Sequence, residues 1–251
     1  VEITRANPAH SGWYIERFRS MAAAGDDLDG EARMVDAMAT RRSRILDAGC
    51  GPGRVGATLA ERGHSVVGVD VDPELIAAAE EDHPGPRWVV ADLALMDLPA
   101  LGIDEGFDIV VCAGNVMTFL APSTRVAVLE RFRIHLRAGG RIVVGFGAGR
   151  DYEFDEFASD VEHADLVIDV RLASWDLRPF RSSSDFLVAV LSAASVAFAA
   201  SVALRSPFQF DVIKDRGTLA RIVDDGAVEN VYRIQIMNRT EGTQTYRVSA
   251  S

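Results

Sequence analysis

The residues able to do chemistry gather where apolar runs stop. Arg44 to Gly56 reads R-I-L-D-A-G-C-G-P-G-R-V-G, so Asp47 is followed by Gly49, Gly51 and Gly53, with Cys50 among them. Alternating glycines permit a tight left-handed turn and let a ligand approach the backbone, because no Cβ stands in the way. A helix that begins directly after such a turn presents unpaired N–H groups and partial positive charge, which suits a carboxylate or phosphate. Asp70 with Val71, and Asp92 with Leu93, end the next two apolar runs, and Ala113, Gly114 and Asn115 end a fourth. A carboxylate there accepts hydroxyl or amino donors, each charge-assisted bond contributing about 1.5–3 kcal/mol. Groups able to move a proton near the same ends are His10, Tyr14, Asp151 and Tyr152. His64, His83, His135 and His163 read as surface or helix-end residues, no pair has metal-ligand spacing, and Asp72 reads as a helix cap.

Such groups act together only if a frame brings the ends of several strands to one place. Residues 1–40 predict helical cover: Trp13, Tyr14, Arg17, Phe18 and Met21 recur at helical steps, Asp26 to Gly30 interrupts, and Ala32 to Met38 resumes. That cover either packs a sheet edge or closes over a ligand as a lid. Strands are predicted at Arg44–Ala48, Ser65–Asp70, Arg87–Asp92, Phe107–Ala113 and Arg141–Phe146. Helices are predicted at Arg54–Arg62, at Glu74–Asp82 behind Asp72 and Pro73, and at Pro122–Arg137, the last closed by Gly139 and Gly140. Strand alternates with helix and the strands are nearly all apolar, which predicts an α/β fold with a parallel sheet covered on both faces. In such sheets the ligand crevice lies beyond the carboxyl ends of the strands, where strand order switches, so Asp47, Asp70, Asp92 and the 113–115 run converge. A helix over Asp155–His163 and strands over Leu166–Trp175 and Ser184–Leu191 follow; with no helix between them, the two strands form an antiparallel pair at the sheet edge.

The 251 residues can bury one sizeable core and a small addition. A net charge of −11 argues against a nucleic acid partner. Two cysteines, Cys50 and Cys112, provide neither a disulfide framework nor metal spacing and suit a reducing cytoplasm, and no basic, cleavable apolar leader opens the sequence. Usage changes near Ser192: the residues before it hold 19 arginines, no lysine and 31 acids, whereas Lys214 and all three glutamines come after it.

Two ligands would explain a glycine turn with acids on successive strands. Gly51-Pro-Gly53-Arg-Val-Gly56 matches G-x-G-x-x-G, and both a dinucleotide and S-adenosylmethionine place a ribose on an acid ending the next strand. The run Asp47-Ala-Gly49-Cys-Gly51-Pro-Gly53, followed by Asp70 and then Asp92, resembles the Rossmann-like, class I S-adenosylmethionine-dependent methyltransferases over about residues 10–191. The resemblance implies a doubly wound, mostly parallel seven-stranded sheet with an antiparallel edge strand. It implies that Asp47 and the Gly49–Gly53 backbone, Cys50 included, hold the amino acid end of the cofactor. Asp70 would take both ribose hydroxyls, with Val71 beside it among the cofactor-binding residues; Asp92, with Leu93, the adenine amino group; and Ala113, Gly114 and Asn115 would line the sulfonium. Methyl transfer is then an in-line displacement governed mainly by alignment, an effect of up to about 7–11 kcal/mol. It needs no protein nucleophile, and a general base is left open among His10, Tyr14, Asp151 and Tyr152. The fourth strand ends Ala-Gly-Asn-Val-Met and not in the Asn-Pro-Pro-Tyr type, which with the acidic charge points to a small-molecule acceptor, while the absence of metal-ligand spacing points to no metal. A nicotinamide-dependent oxidoreductase is the rival on the same frame.

Beyond this lies a different pattern. Phe186 to Leu204 holds 19 consecutive uncharged residues, the length of a short membrane helix, but its first six already complete the last strand. The expected organisation is therefore a methyltransferase domain over 1–192, an apolar connector helix over 193–205 that meets a membrane only if 186–204 inserts, and a β-rich segment over 206–251. Ser206 to Gly217 and Glu229 to Asn238 resemble the C-terminal immunoglobulin-like region of FixG-type cytochrome oxidase accessory proteins, in which a membrane helix precedes that region. The ferredoxin cysteines of that family are absent, and half a sandwich leaves edges uncovered, so the segment reads as an appended, incomplete module. A membrane-anchored, noncatalytic accessory module of cytochrome oxidase assembly is the reading this tail would favour. The sequon Asn238-Arg-Thr240, without a leader, reads as chance.

Overall fold

The computed structural model describes residues 10–194 and, further on, the backbone of residues 208–214, 221–222, 228–229 and 232–238. The chain divides into two compact units, Val1–Ala194 and Ser195–Ser251.

In the first unit, helices α1 (His10–Ala23) and α2 (Gly30–Met38) lead into β1 (Arg44–Ala48), α3 (Arg54–Glu61), β2 (Ser65–Asp70), α4 (Pro73–Asp82), β3 (Arg87–Val90) and β4 (Phe107–Cys112). There follow α5 (Arg125–Ile134), β5 (Leu136–Gly147), α6 (Phe154–His163), β6 (Leu166–Leu172) and β7 (Phe186–Ala193). The seven strands lie in the order β3-β2-β1-β4-β5-β7-β6. The chain starts at mid-sheet, winds out to β3 and returns beside β1, so the order switches between β1 and β4. Strands β1 to β5 pair in parallel, while β7 runs antiparallel to both β5 and β6, which is the expected pair at that edge.

Successive strand residues explain the two layers of helix. Leu46, Ala48, Val110 and Val144 face a core closed by Leu129 and Phe132 of α5 and Phe157 of α6, whereas Ile45, Ile109, Val111 and Val143 face Val35 of α2 and Val55 and Leu59 of α3. A strand apolar at every position is stable only with both faces covered.

Several boundaries differ from those expected from the sequence. β3 stops at Val90, leaving Asp92 in the turn that follows. The region expected as one helix over Pro122–Arg137 is a 3-10 turn at Pro122–Thr124, then α5, and β5 has begun by Leu136. Gly139 and Gly140 do not close a helix. They lie within β5 at a bulge, where pairing with β4 jumps from Phe107–Leu136 to Ile109–Arg141, and Gly139 takes the left-handed φ of 78° that the bulge requires. Pairing with β4 outweighs the local helical pattern there. β6 ends at Leu172 rather than Trp175, because the Trp175 indole folds back into the space beside Gly145.

His64 and His135 are buried, not superficial: His64 Nε2 bonds Asp36, and His135 bonds the Arg131 carbonyl and accepts from Leu98 N–H. In the second unit β8 (Phe208–Lys214) pairs antiparallel with β11 (Tyr232–Asn238), and β9 (Arg221–Ile222) with β10 (Val228–Glu229). The connector expected over 193–205 lies, past Ala194, outside the described residues, as does Thr240 of the sequon. Among the described residues no helix is long and apolar enough to cross a membrane.

Candidate functional site

The turn after β1 needs its glycines. Gly49, Gly51 and Gly53 have φ of 76°, 54° and 89°, the left-handed region in which a Cβ is strained. A Cβ on Gly49 would also stand 2.5 Å from Val116 Cγ2, and one on Gly53 2.9 Å from Trp88 Cη2. Gly53 is the N-cap of α3, so the first N–H groups of that helix open toward the turn. Beneath it, the buried Trp88 of β3 fills the space of three missing side chains, those of Gly53, Gly56 and Gly68, and at Gly68 a Cβ would come within 2.2 Å of the ring. The sequence reading missed this plug. Its signal was a glycine inside the otherwise apolar β2.

The acids then divide by role. Asp70 accepts from Gly51 N–H at 2.9 Å with Oδ2 and from Asp72 N–H at 3.0 Å with Oδ1, so the end of β2 holds the glycine turn in place. Burial raises its pKa against these hydrogen bonds. Each carboxylate oxygen keeps a second lone pair, so Asp70 can still take a vicinal pair of ribose hydroxyls. Asp47 is only 2% exposed and accepts from Gly56 N–H at 2.8 Å; burial pushes its pKa up to about 7. It braces the turn from below. The Cys50 side chain likewise packs inward on Ile76, Ala79 and Trp88, with its thiol pKa raised by burial, and leaves only backbone to the turn.

Val71 is exposed, and Asp92 is exposed with Oδ1 accepting from Ala94 N–H at 2.9 Å, while Leu93 belongs to the core. After β4, Ala113 is buried and Gly114 and Asn115 turn left-handed at φ of 69° and 66°. Asn115 Oδ1 accepts from Gly147 N–H at 2.8 Å, which ties the end of β4 to the end of β5.

Of the groups able to move a proton, Tyr14 stands at this crevice. Its Cε1 lies 3.5 Å from the Cβ position of Gly51, and its hydroxyl 4.0 Å from that of Gly114. Burial raises its pKa, so the phenol is protonated at neutral pH. Helix α1 is held there by Ser11 Oγ donating to Asp72 Oδ2 at 2.5 Å and by Arg19 donating to Asp82 at 2.9 Å. Asp72 therefore does more than cap α4 through Glu74 N–H. Phe18 packs edge-on to Tyr14 and lies under Arg54, which forms a two-point ion pair with Glu31.

Tyr152 does not reach the crevice. Its ring is fully buried on Phe146 and Phe157, and its hydroxyl donates to Asp160 Oδ2 at 2.7 Å, so the proposed proton carrier is a core residue. Asp151 is exposed at φ 55°, with its carbonyl accepting from Arg125. The side chain of His10 lies outside the described residues. Among the described residues no cluster of His, Cys, Asp and Glu could hold a metal ion. A separate cleft of about 490 Å³ lies between α1, the 26–29 loop and α3, and it includes neither Asp70 nor Asn115.

Comparison with known proteins places these features. A family model described as a methyltransferase domain matches residues 45–140, and a model of the immunoglobulin-like fold at the C-terminal of FixG matches residues 198–251. A solved TehB-like SAM-dependent methyltransferase from Corynebacterium glutamicum is 49% identical, covers 74% of this chain and 100% of its own, and superposes with a TM-score of 0.70. A trans-aconitate 2-methyltransferase from Azoarcus sp. is 36% identical over 133 residues, covering 52% of this chain and 47% of the relative. A malonyl-[acyl-carrier protein] O-methyltransferase from Enterobacter lignolyticus is 32% identical over 110 residues, covering 44% of this chain and 41% of the relative. The match thus spans less than half the length of these curated relatives.

Proposed function

The chain belongs to the S-adenosylmethionine-dependent methyltransferases, and on that premise we propose that it transfers a methyl group to a small-molecule acceptor. The observation that carries the reading is the meeting of the Gly49–Gly53 turn, Asp70 and Asn115 at the switch between β1 and β4, with Tyr14 laid across it. Bound S-adenosylmethionine supplies a methyl group on a sulfonium leaving group, open to in-line displacement. The backbone of Gly49, Cys50, Gly51 and Gly53 and the N-terminus of α3 receive its carboxylate, and Asp47 stiffens that turn from beneath. Asp70 takes the ribose hydroxyls, Val71 offers an apolar face to the adenine, and Asp92 with Leu93 takes the adenine edge. Ala113, Gly114 and Asn115 line the reacting centre. Tyr14, held protonated, donates a hydrogen bond and helps exclude water; alignment carries most of the rate.

A small acceptor is supported by the net charge of −11, which disfavours nucleic acid, and by the named acceptor of the trans-aconitate methyltransferase. The buried free thiols Cys50 and Cys112 favour the cytoplasm. Calorimetry tests the site: S-adenosylhomocysteine should bind, and Asp70→Ala should weaken it by at least about tenfold, or ~1.4 kcal/mol. Unchanged affinity overturns the ribose assignment, and NAD binding in the same titration favours the dehydrogenase instead. The match of residues 198–251 to the FixG terminus favours a second role for the tail as an appended partial immunoglobulin-like module. Recovery of the full chain in the membrane fraction would support anchoring through it; wholly soluble recovery would remove that reading.

A further inference from the structure

The two sides of the crevice differ in charge. Asp70 ends β2 and Asp92 follows β3, whereas the turn Ala113–Asn115 after β4 carries no acid and the turn after β5 places Arg150 ahead of Asp151 and Glu153. Gly147 is the last residue of β5, and the space its missing Cβ would fill is bordered by Phe186 Cδ2 at 3.6 Å, Arg150 Nε at 3.7 Å and Asn115 Oδ1 at 3.7 Å. Asn115 spends Oδ1 on Gly147 N–H, which leaves its NH2 group with two donors. Arg150 is exposed and forms no ion pair among the described residues, not even with its sequence neighbours Asp151 and Glu153. Arg33, Arg54, Arg62 and Arg125 of the same unit each hold a carboxylate, whereas Arg150, like Arg171 and Arg181, holds none among the described residues.

The backbone that carries Arg150 is fixed from inside. Arg125, 3% exposed, donates to the Asp151 carbonyl at 2.7 Å and to Glu156 at 2.7 Å, with its guanidinium 3.9 Å above the Tyr152 ring. Tyr152 is in turn held by Asp160. Asp151 takes a left-handed φ of 55°, which aspartate tolerates better than most residues with a Cβ, and the Arg125 bond to its carbonyl fixes the turn there. A buried cation holds the turn in which an exposed cation is presented beside Asn115.

We propose that Arg150, with the Asn115 amide beside it, binds a carboxylate of the methyl acceptor, so that this enzyme selects acids. The proposal rests on the methyltransferase reading above. A guanidinium matches a carboxylate with two parallel hydrogen bonds, and a chain of net charge −11 repels anions at long range, so an acid acceptor requires such a local contact. The full chain should be given labelled S-adenosylmethionine and a metabolite extract separated on a strong anion exchanger. The acceptor should lie in the retained fraction, and Arg150→Gln should raise its KM by at least about tenfold, with kcat and S-adenosylhomocysteine affinity nearly unchanged. An acceptor in the unretained fraction, or an unchanged KM, overturns the proposal.

A second measurement needs no turnover. In the S-adenosylhomocysteine complex, the NMR signal of Arg150 Nε–H should move on titration with succinate and not with succinamide; equal response to both, or to neither, also overturns it. Absence of methyl transfer from every fraction, with the succinate response intact, counts against the methyltransferase reading and leaves the acid site standing.

Discussion

The two halves of the sheet build the same carboxyl edge by different means. From β1 to β3 the edge is made of backbone conformation: left-handed glycines, a helix N-terminus and carboxylates that accept backbone N–H groups. At β4 and β5 the left-handed turns at Gly114, Asn115 and Asp151 are joined by side chains reaching 26, 31 and 32 residues along the chain, in the Arg125–Asp151, Arg125–Glu156 and Asn115–Gly147 contacts. A backbone turn that admits only glycine tolerates almost no change, whereas a side-chain clamp can be weakened by degrees. The first half thus suits a fixed cofactor and the second a variable acceptor.

Substitutions can break that contrast. The largest effect is expected at the plug: Trp88→Ala should cost about 3–5 kcal/mol in urea unfolding and abolish S-adenosylhomocysteine binding, since the floor under Gly53, Gly56 and Gly68 is lost. A stable variant that still binds would show that the turn holds itself up. Asp47→Asn comes next and acts through pH. Burial raises the folded Asp47 carboxyl from its ordinary 3.8 to about 7, so the folded state binds the proton more tightly. Its contribution to stability is therefore full below about pH 4, falls as pH rises, and is lost above about pH 7. Relative to the wild type, the variant should gain up to about 4 kcal/mol between pH 4 and pH 8, read from unfolding at each pH. A constant difference across that range would mean that Asp47 is ionised throughout.

Arg125→Met sharpens the other side. Removing the clamp leaves the Asp151 carbonyl without its partner and should cost about 1–3 kcal/mol. Acceptor KM should rise while S-adenosylhomocysteine affinity holds, and an equal fall in cofactor affinity would show that the halves are not separable. The smallest change is expected for Asp92→Ala, which loses an exposed turn bond to Ala94 N–H: about 0.5–1 kcal/mol in thermal unfolding, with a severalfold loss of cofactor affinity. No change in affinity would remove Asp92 from the adenine site.

The glycine turn, Asp70 and the alternation of strand and helix were legible because each depends on neighbours within a few residues: a left-handed turn needs glycine where it occurs, and an apolar run needs two covers wherever it sits. Trp88 was not legible as a plug, since its partner Gly68 lies on another strand. Tyr152 looked available for chemistry because nothing in D-Y-E-F says that Phe146, Phe157 and Arg125 will enclose the ring. The boundary at Leu136 failed for the same reason, a local helical period yielding to pairing with β4.

Local pattern was therefore enough for the order of elements and the place of the crevice, and it narrowed the ligand to a dinucleotide or S-adenosylmethionine. Three-dimensional packing set which of those acids faces outward and which braces from below, that Tyr14 of α1 lies on the glycine turn, and that Arg150 is presented beside Asn115. The physical reason is that conformation is a property of a few adjacent residues, whereas burial and pairing are decided by segments that meet only when the chain has folded.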